Sequence, residues 1–244
     1  MIPKNIFQTH KSPEYLRSNP ELFQAAYSWY KNEGYRYKFY TDDDCDSFMR
    51  THYPTIYPLY KSLPLAVMRA DLWRYCVVYK YGGIYADVDT ILKCSPDIFI
   101  MEKDLVISAE HSDHLCQWVF AAPAGSPILR NIIDMVVHRV TLGINPEKHF
   151  VLNTTGPGVF TSAVMEYLRK NSHLVRPQNL SYSPLTLHKL NIKTIHVFDY
   201  NRFHTSQVEH LFYGCRDGWM KERNKYIKNS NKNKRAGFGL HVFS

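Results

Sequence analysis

The stretch Pro64-Leu65-Ala66-Val67-Met68-Arg69-Ala70-Asp71-Leu72-Trp73-Arg74-Tyr75-Cys76-Val77-Val78-Tyr79 and its continuation Lys80-Tyr81-Gly82-Gly83-Ile84-Tyr85-Ala86-Asp87-Val88-Asp89-Thr90 decides the fold. Ala66, Ala70, Trp73 and Val77 recur at helical spacing, so a helix is predicted over residues 64–79, and Gly82-Gly83 stops it. Ile84-Tyr85-Ala86 reads as a short buried strand. A long helix passing straight into a buried strand is the unit of an α/β sheet.

The flanking sequence repeats the alternation. Upstream, Ile2 to Phe7 reads as a first strand, and Asn19-Pro20-Glu21 opens a helix with Leu22, Ala26 and Trp29 on one face. Tyr35, Tyr37 and Phe39 alternate as a strand would, and Thr41 with Asp44 starts another helix. Downstream, strands are predicted at 105–109, 118–122 and 195–198, and helices from Ser126-Pro127 to about Val140 and from Val159 to Arg169. The expected fold is one Rossmann-like α/β domain over residues 1–223, with a mainly parallel central sheet flanked by helices. A basic Lys/Asn-rich segment, 224–244, follows as a mobile end.

The chain has 244 residues and a net charge of +8. Hydrophobic residues make up 45%, enough for a well-buried core and too much for a disordered chain. No apolar run approaches the roughly 18 residues of a membrane span, and Met1-Ile2-Pro3-Lys4 predicts no secretory leader. Seven basic residues and one acidic one fall between Lys221 and Arg235, leaving a near-neutral body. That distribution argues against a nucleic-acid partner and leaves peripheral membrane contact through the basic tail as an option. The five cysteines (45, 76, 94, 116 and 215) are odd in number and widely spaced. Reduced, mostly buried thiols in a cytoplasmic protein are the expectation.

Three Asp-x-Asp patterns occur. Asp42/Asp44 and Asp44/Asp46 lie in an acidic helix start, where carboxylates favour the positive end of the dipole. Asp87 and Asp89 follow a buried strand instead, and i and i+2 on extended chain point the same way. Two carboxylates at the carboxyl end of a strand lie where α/β sheets bind ligands. Such charges are costly beside apolar chain unless a cation compensates, and oxygen ligands suit Mg²⁺ or Mn²⁺. The spacing predicts a divalent-metal site for a phosphate-bearing substrate, against a turn with solvated acids. Glu110-His111-Ser112-Asp113-His114 has metal-ligand residue types but reads as an exposed polar loop.

At these residues the sequence resembles glycosyltransferase family 32, the DXD sugar-transferase family that includes fungal Golgi mannosyltransferases and bacterial and viral capsule enzymes. Ile2 to Thr9, Trp29 with Gly34-Tyr35, and Thr41-Asp42-Asp43 resemble its opening segments. Arg69 to Tyr75 with Gly82 to Asp89 resembles its core motif, Thr155-Gly156-Pro157 its second motif, and His210, Gly214 and Trp219 its late element. His10 stands where the family often has tryptophan, and Cys215-Arg216-Asp217-Gly218 precede Trp219 in place of the usual small residue.

The resemblance implies a GT-A fold, a UDP- or GDP-sugar donor, a glycan or other hydroxyl acceptor, a divalent ion (usually Mn²⁺) and retention at the anomeric carbon. It implies Asp87, Asp89 and His210 as metal ligands, Asp71 and Arg74 as donor-sugar contacts, and Tyr85, Thr155, Gly156 and Trp219 around the nucleotide sugar. Thr155-Gly156-Pro157 opens a helix whose free amides would face an anion. Lys221, Arg223 or Lys225 is expected near the nucleotide. The competing readings are another metal-dependent phosphate enzyme, such as a nucleotidyltransferase or phosphohydrolase, and a non-catalytic basic binding protein.

Overall fold

A computed structural model describes residues 1–110, 113–147, 149–176, 183–211 and 219–238. Its centre is a six-stranded sheet in the order β2-β1-β3-β6-β5-β9. β1 (Asn5–Thr9) passes through α1 (Pro13–Arg17) and α2 (Pro20–Tyr30) into β2 (Arg36–Tyr40), which pairs parallel to it, Asn5 opposite Arg36. α3 (Asp42–His52), α4 (Tyr57–Ser62) and α5 (Ala66–Tyr81) lead to β3 (Gly83–Ala86), parallel to β1 on its other side. The Thr41 hydroxyl and the Asp44 carboxylate close a capping box at the start of α3.

β4 (Thr90–Leu92), β5 (Leu105–Ser108) and β6 (Val119–Ala122) come next. β6 runs antiparallel to both β3 and β5, and β9 (Ile195–Phe198) pairs parallel to β5. Within this sheet β6 is thus the one reversed strand of a mainly parallel α/β fold. Between β6 and β9 lie α6 (Pro127–Thr141), α7 (Phe150–Thr154), α8 (Pro157–Lys170) and the small pair β7 (Val175–Arg176) and β8 (Asn191–Ile192). α9 (Tyr200–Arg202), β10 (Val208–His210) and α10 (Trp219–Phe238) complete the described elements.

Strand alternation divides the core in two. Phe7, Tyr85, Phe120 and Ile107 join the larger cluster, under α5, α6 and α8. Ile6, Ile84, Ala121 and Val106 face the other way and pack with Trp29 of α2, Phe99 and Phe203. β3 is therefore buried on both faces, as its all-apolar sequence requires. The Gly82-Gly83 stop has a steric reason: Gly83 has φ +129°, and a Cβ there would sit 2.6 Å from the Asn5 carbonyl oxygen.

Two element bounds differ from the sequence reading. The boundary drawn between residues 223 and 224 falls inside α10, one helix that packs on the larger core through Trp219, Tyr226 and Ile227. The first strand begins at Asn5 rather than at Ile2, although Ile2 is buried. Cys45, Cys76, Cys94 and Cys116 are free thiols, three of them buried; Cys215 lies outside the described residues. Among the described residues, no helix is long and apolar enough to cross a membrane.

Candidate functional site

The chain leaves β3 at Ala86 and turns at once. The Asp87 amide donates to the Trp118 carbonyl at 2.7 Å, fixing the exit against β6. The Asp87 carbonyl then accepts from the Thr90 hydroxyl at 2.6 Å and from the Gln8 side chain at 3.1 Å. Asp87, Val88 and Asp89 form a turn, so the two carboxylates meet through a bend rather than through strand alternation. The Trp29 indole locks the far side of the bend, donating to the Thr90 carbonyl at 3.0 Å.

β4 starts directly after the turn and pairs antiparallel with β10, placing His210 opposite Thr90. The Leu211 amide reaches the Asp89 carbonyl at 2.8 Å. This two-stranded ribbon carries His210 Nε2 to 3.4 Å from Asp89 Oδ1, and the Trp118 ring stacks on the imidazole at 4.6 Å. One ligand atom from each of Asp87, Asp89 and His210 lies within 4.8 Å of the other two. Two carboxylates and an imidazole this close form a fitting donor set for Mn²⁺ or Mg²⁺. The expected metal ligands are thus brought together from two separate places in the chain, the turn after β3 and the end of β10.

Asp87 lies between opposing influences. Its carboxyl is pushed above the usual range by the dry surroundings; Arg74 pulls it back down, and the nearby Asp89 carboxylate raises it again. Arg74 Nη2 stands 3.4 Å from Asp87 Oδ1 and 3.2 Å from Asp71 Oδ1, bridging the two acids. The Tyr85 hydroxyl donates to Asp87, and the Arg74 guanidinium lies over the Tyr85 ring at 4.7 Å.

Behind Arg74 the network is fully inside the protein. Asp71 accepts from the Thr155 hydroxyl at 2.8 Å and from the Gln117 side chain at 3.1 Å. The Tyr75 hydroxyl donates to the Thr155 carbonyl at 2.8 Å and contacts the Gln117 side chain. Burial raises the Asp71 carboxyl to about 6, with Arg74 and Thr155 opposing the rise. The Asp71 and Arg74 side chains are only 2% and 6% exposed. The pair is therefore a buried brace for Asp87, not a surface couple with an open face for a sugar hydroxyl. Arg74 does keep a buried Nε–H with no hydrogen-bond partner among the described residues.

The other expected site residues are placed differently from the sequence reading. Tyr85 is 1% exposed, so it supports Asp87 from beneath rather than lining an open pocket. The Thr155 and Gly156 amides both donate to the Val151 carbonyl, at 3.1 and 3.0 Å, so they are not free to face an anion. Thr155 serves Asp71 through its hydroxyl instead. Trp219 packs against the larger core with the Arg223 guanidinium 5.6 Å above its ring, while Lys221 and Lys225 are exposed. Gly214, with residues 215–218, lies outside the described residues. So do His111 and Ser112 of the polar loop, in which Glu110 donates its amide to the His114 carbonyl.

Sequence reasoning missed Gln117 and Tyr75, which hold Asp71 and Thr155 together. The available signal was a glutamine next to the apolar run of β6 and a tyrosine one residue after Arg74. A cavity of about 360 Å³ opens nearby, lined by Thr9, Asp42, Cys45, Tyr60, Arg69 and Ala70 among others. Arg69 donates to the Leu63 carbonyl at 2.8 Å and so has a structural role there.

Thr155→Val tests the brace with almost no change of shape. The loss of its hydrogen bond to a buried carboxylate is expected to destabilise the protein by about 1–3 kcal/mol, and Thr155→Ser to restore most of it. Thermal denaturation reads both; equal midpoints for Thr155→Val and the parent would contradict the role.

Residues 19–106 match the family model described as the glycosyltransferase sugar-binding region containing a DXD motif. The initiation-specific alpha-1,6-mannosyltransferase of Candida albicans is 27% identical over 216 residues, covering 72% of this chain and 55% of that protein. The one from Schizosaccharomyces pombe is 28% identical over 197 residues, covering 68% and 49%. Inositol phosphoceramide mannosyltransferase 3 of Schizosaccharomyces pombe is 40% identical over 90 residues, covering 36% and 24%. The chain spans about half the length of the two alpha-1,6-mannosyltransferases it matches. Among solved structures, the PaToxG glycosyltransferase aligns with a TM-score of 0.49 at 19% identity, covering 69% of this chain and 70% of that one. The likeness to glycosyltransferase family 32 read from the motifs is borne out by the sequence matches.

Proposed function

We propose, on the premise that residues 19–106 are the sugar-binding region of a DXD-containing glycosyltransferase, that this protein transfers a sugar from a UDP- or GDP-sugar to a hydroxyl of a glycan or similar acceptor. The observation that carries the reading is the convergence of Asp87, Asp89 and His210 within 4.8 Å, backed by the buried Arg74–Asp71 brace. Held there, a divalent ion would supply positive charge against the diphosphate leaving group.

The chain's own residues do the rest. Asp87 and Asp89 would hold the cation, and His210 would complete the set from the β10 side. Arg74 and Tyr85 fix the Asp87 carboxylate in one orientation, so its charge need not reorganise during the reaction. We assign the nucleotide's base to the cavity beside Thr9 and Arg69, because it opens at the carboxyl end of β1. His10, stacked on Tyr15 at 4.7 Å, offers an aromatic surface at the same end. Retention of anomeric configuration is part of the proposal, carried over from the family resemblance.

Incubation with UDP- and GDP-sugars and Mn²⁺ tests the reading. Nucleoside diphosphate release that requires the metal and one of these donors is expected. Absence both of release and of metal-dependent nucleotide binding across the panel rejects it, and inorganic phosphate or pyrophosphate as the product points to a different phosphate enzyme.

A further inference from the structure

The inward face of α2 carries Leu22, Ala26 and Trp29 into the core. Its outward face carries Phe23, Tyr27 and Tyr30, spaced four and three residues apart, which places them in one row. All three remain exposed, at 43%, 44% and 60%. Phe23 and Tyr27 stack at 6.2 Å with their rings 13° apart, and Tyr27 meets Tyr30 at 5.9 Å. Tyr30 then abuts Tyr37 of β2 edge-on at 5.4 Å. Tyr37 also packs on the smaller core cluster, whereas Phe23, Tyr27 and Tyr30 leave large parts of their rings in water.

The row is joined to the candidate site at both ends. Leu22, next to Phe23, packs with Val88, the residue between the two site aspartates. Tyr37 donates its hydroxyl to the Gln8 side chain at 2.8 Å, and that same side chain donates to the Asp87 carbonyl. The row thus lies on the outer side of the helix whose inner side packs against the Asp87–Asp89 turn.

The chemistry of the row selects its occupant. α2 carries a single charge, Glu21, and Lys31 and Glu33 follow it, so the strip is close to neutral. Arg36 and Lys38 alternate to the other face of β2 from Tyr37. An anionic membrane or a nucleic acid needs a cationic surface, which this strip lacks. The three exposed rings offer about 300 Å² between them, well short of the roughly 800 Å² per partner of a stable protein interface. A narrow, uncharged row of rings, three of the four with hydroxyls, suits a narrow, uncharged ligand with C–H faces and hydroxyl edges. Tyrosine supplies that contact with little loss of side-chain freedom.

We propose that Phe23, Tyr27, Tyr30 and Tyr37 form a platform for a neutral oligosaccharide, lying along the outer side of α2. The use of the bound chain as acceptor rests on the glycosyl-transfer reading; the binding itself does not. Calorimetric titration with linear hexaoses of mannose, glucose and galactose, with no donor present, tests it. The parent protein is expected to bind at least one hexaose. Tyr27→Ala with Tyr30→Ala is expected to weaken that binding roughly tenfold or more, and Tyr27→Phe with Tyr30→Phe to keep most of it. Metal-dependent binding of UDP or GDP, measured on the same proteins, stays unchanged and reports separately on the proposed activity. Both positions are exposed, so the alanine variant is expected to fold. The proposal is overturned if no hexaose binds the parent protein, or if the alanine variant binds as well as the parent. It is equally overturned if the tyrosines prove to mediate self-association or sedimentation with phosphatidylcholine vesicles in place of sugar binding.

Discussion

Arg74→Met is expected to lower the stability of the protein by about 3–5 kcal/mol, the cost of removing one partner from a buried ion pair. For a chain of this size that is roughly 10 °C in the melting midpoint. Methionine fills much of the same space, so the loss reports the charge rather than a cavity. Arg74 is the cation bridging Asp71 and Asp87, and with it gone Asp71 must fold either charged and uncompensated or protonated. The pH dependence carries the signature. The folded-state pKa of Asp71 already lies above the ordinary carboxylate value, at about 6, chiefly through burial. Folding therefore takes up a proton, and the parent protein loses stability as pH rises from near 4 toward 6. Without Arg74 the folded value rises further, and the loss continues to higher pH at up to about 1.4 kcal/mol per unit. The gap between variant and parent is thus wide at pH 8 and narrow at pH 5. Denaturation curves at both values decide it; a gap independent of pH would show that Arg74 acts by packing alone.

The double substitution Asp87→Asn with Asp89→Asn separates site from scaffold. Metal-dependent nucleotide binding is expected to vanish, and turnover with the preferred donor to fall by roughly 10³ or more, because several kcal/mol of charge stabilisation are lost with the cation. Stability is expected to change by no more than about 1 kcal/mol. The two carboxylates raise the cost of holding each other, and Arg74 keeps Asp71 when Asp87 becomes neutral. Calorimetry with Mn²⁺ and UDP or GDP, beside a melting curve, reads both quantities. Unaltered metal-dependent binding would remove Asp87 and Asp89 from the ligand set.

The sheet was legible wherever periodicity and punctuation agreed. The 3.6-residue stripe of α5, the glycine stop and the apolar β3 gave the central unit, and the Thr41/Asp44 cap placed α3. The three-residue strands β4 and β10 were not legible, because so short a segment carries no period and exists only through its partner. Lysine and asparagine set the composition from residue 224 onward and hide a helical continuation, yet Trp219, Tyr226 and Ile227 supply apolar contact that docks α10. At the site, residue types were readable and burial was not. Asp71 and Arg74 three residues apart look the same in sequence whether they face water or the core, and only Gln117 and Thr155, distant in the chain, make them a buried brace. The same limit applies to Thr155, whose amide proves to be spent on Val151.

The β4–β10 ribbon divides responsibility for the site along the chain. The segment 19–106 holds Asp87 and Asp89, while His210 arrives only when a hairpin-like pairing closes across more than a third of the molecule. A fragment ending near residue 106 would keep the signature by which this chain is recognised and lack a third of its candidate ligand set. A cation held by all three groups would act as a clasp between early and late parts of the polypeptide, adding to the stability of the closed form in proportion to how tightly it is held.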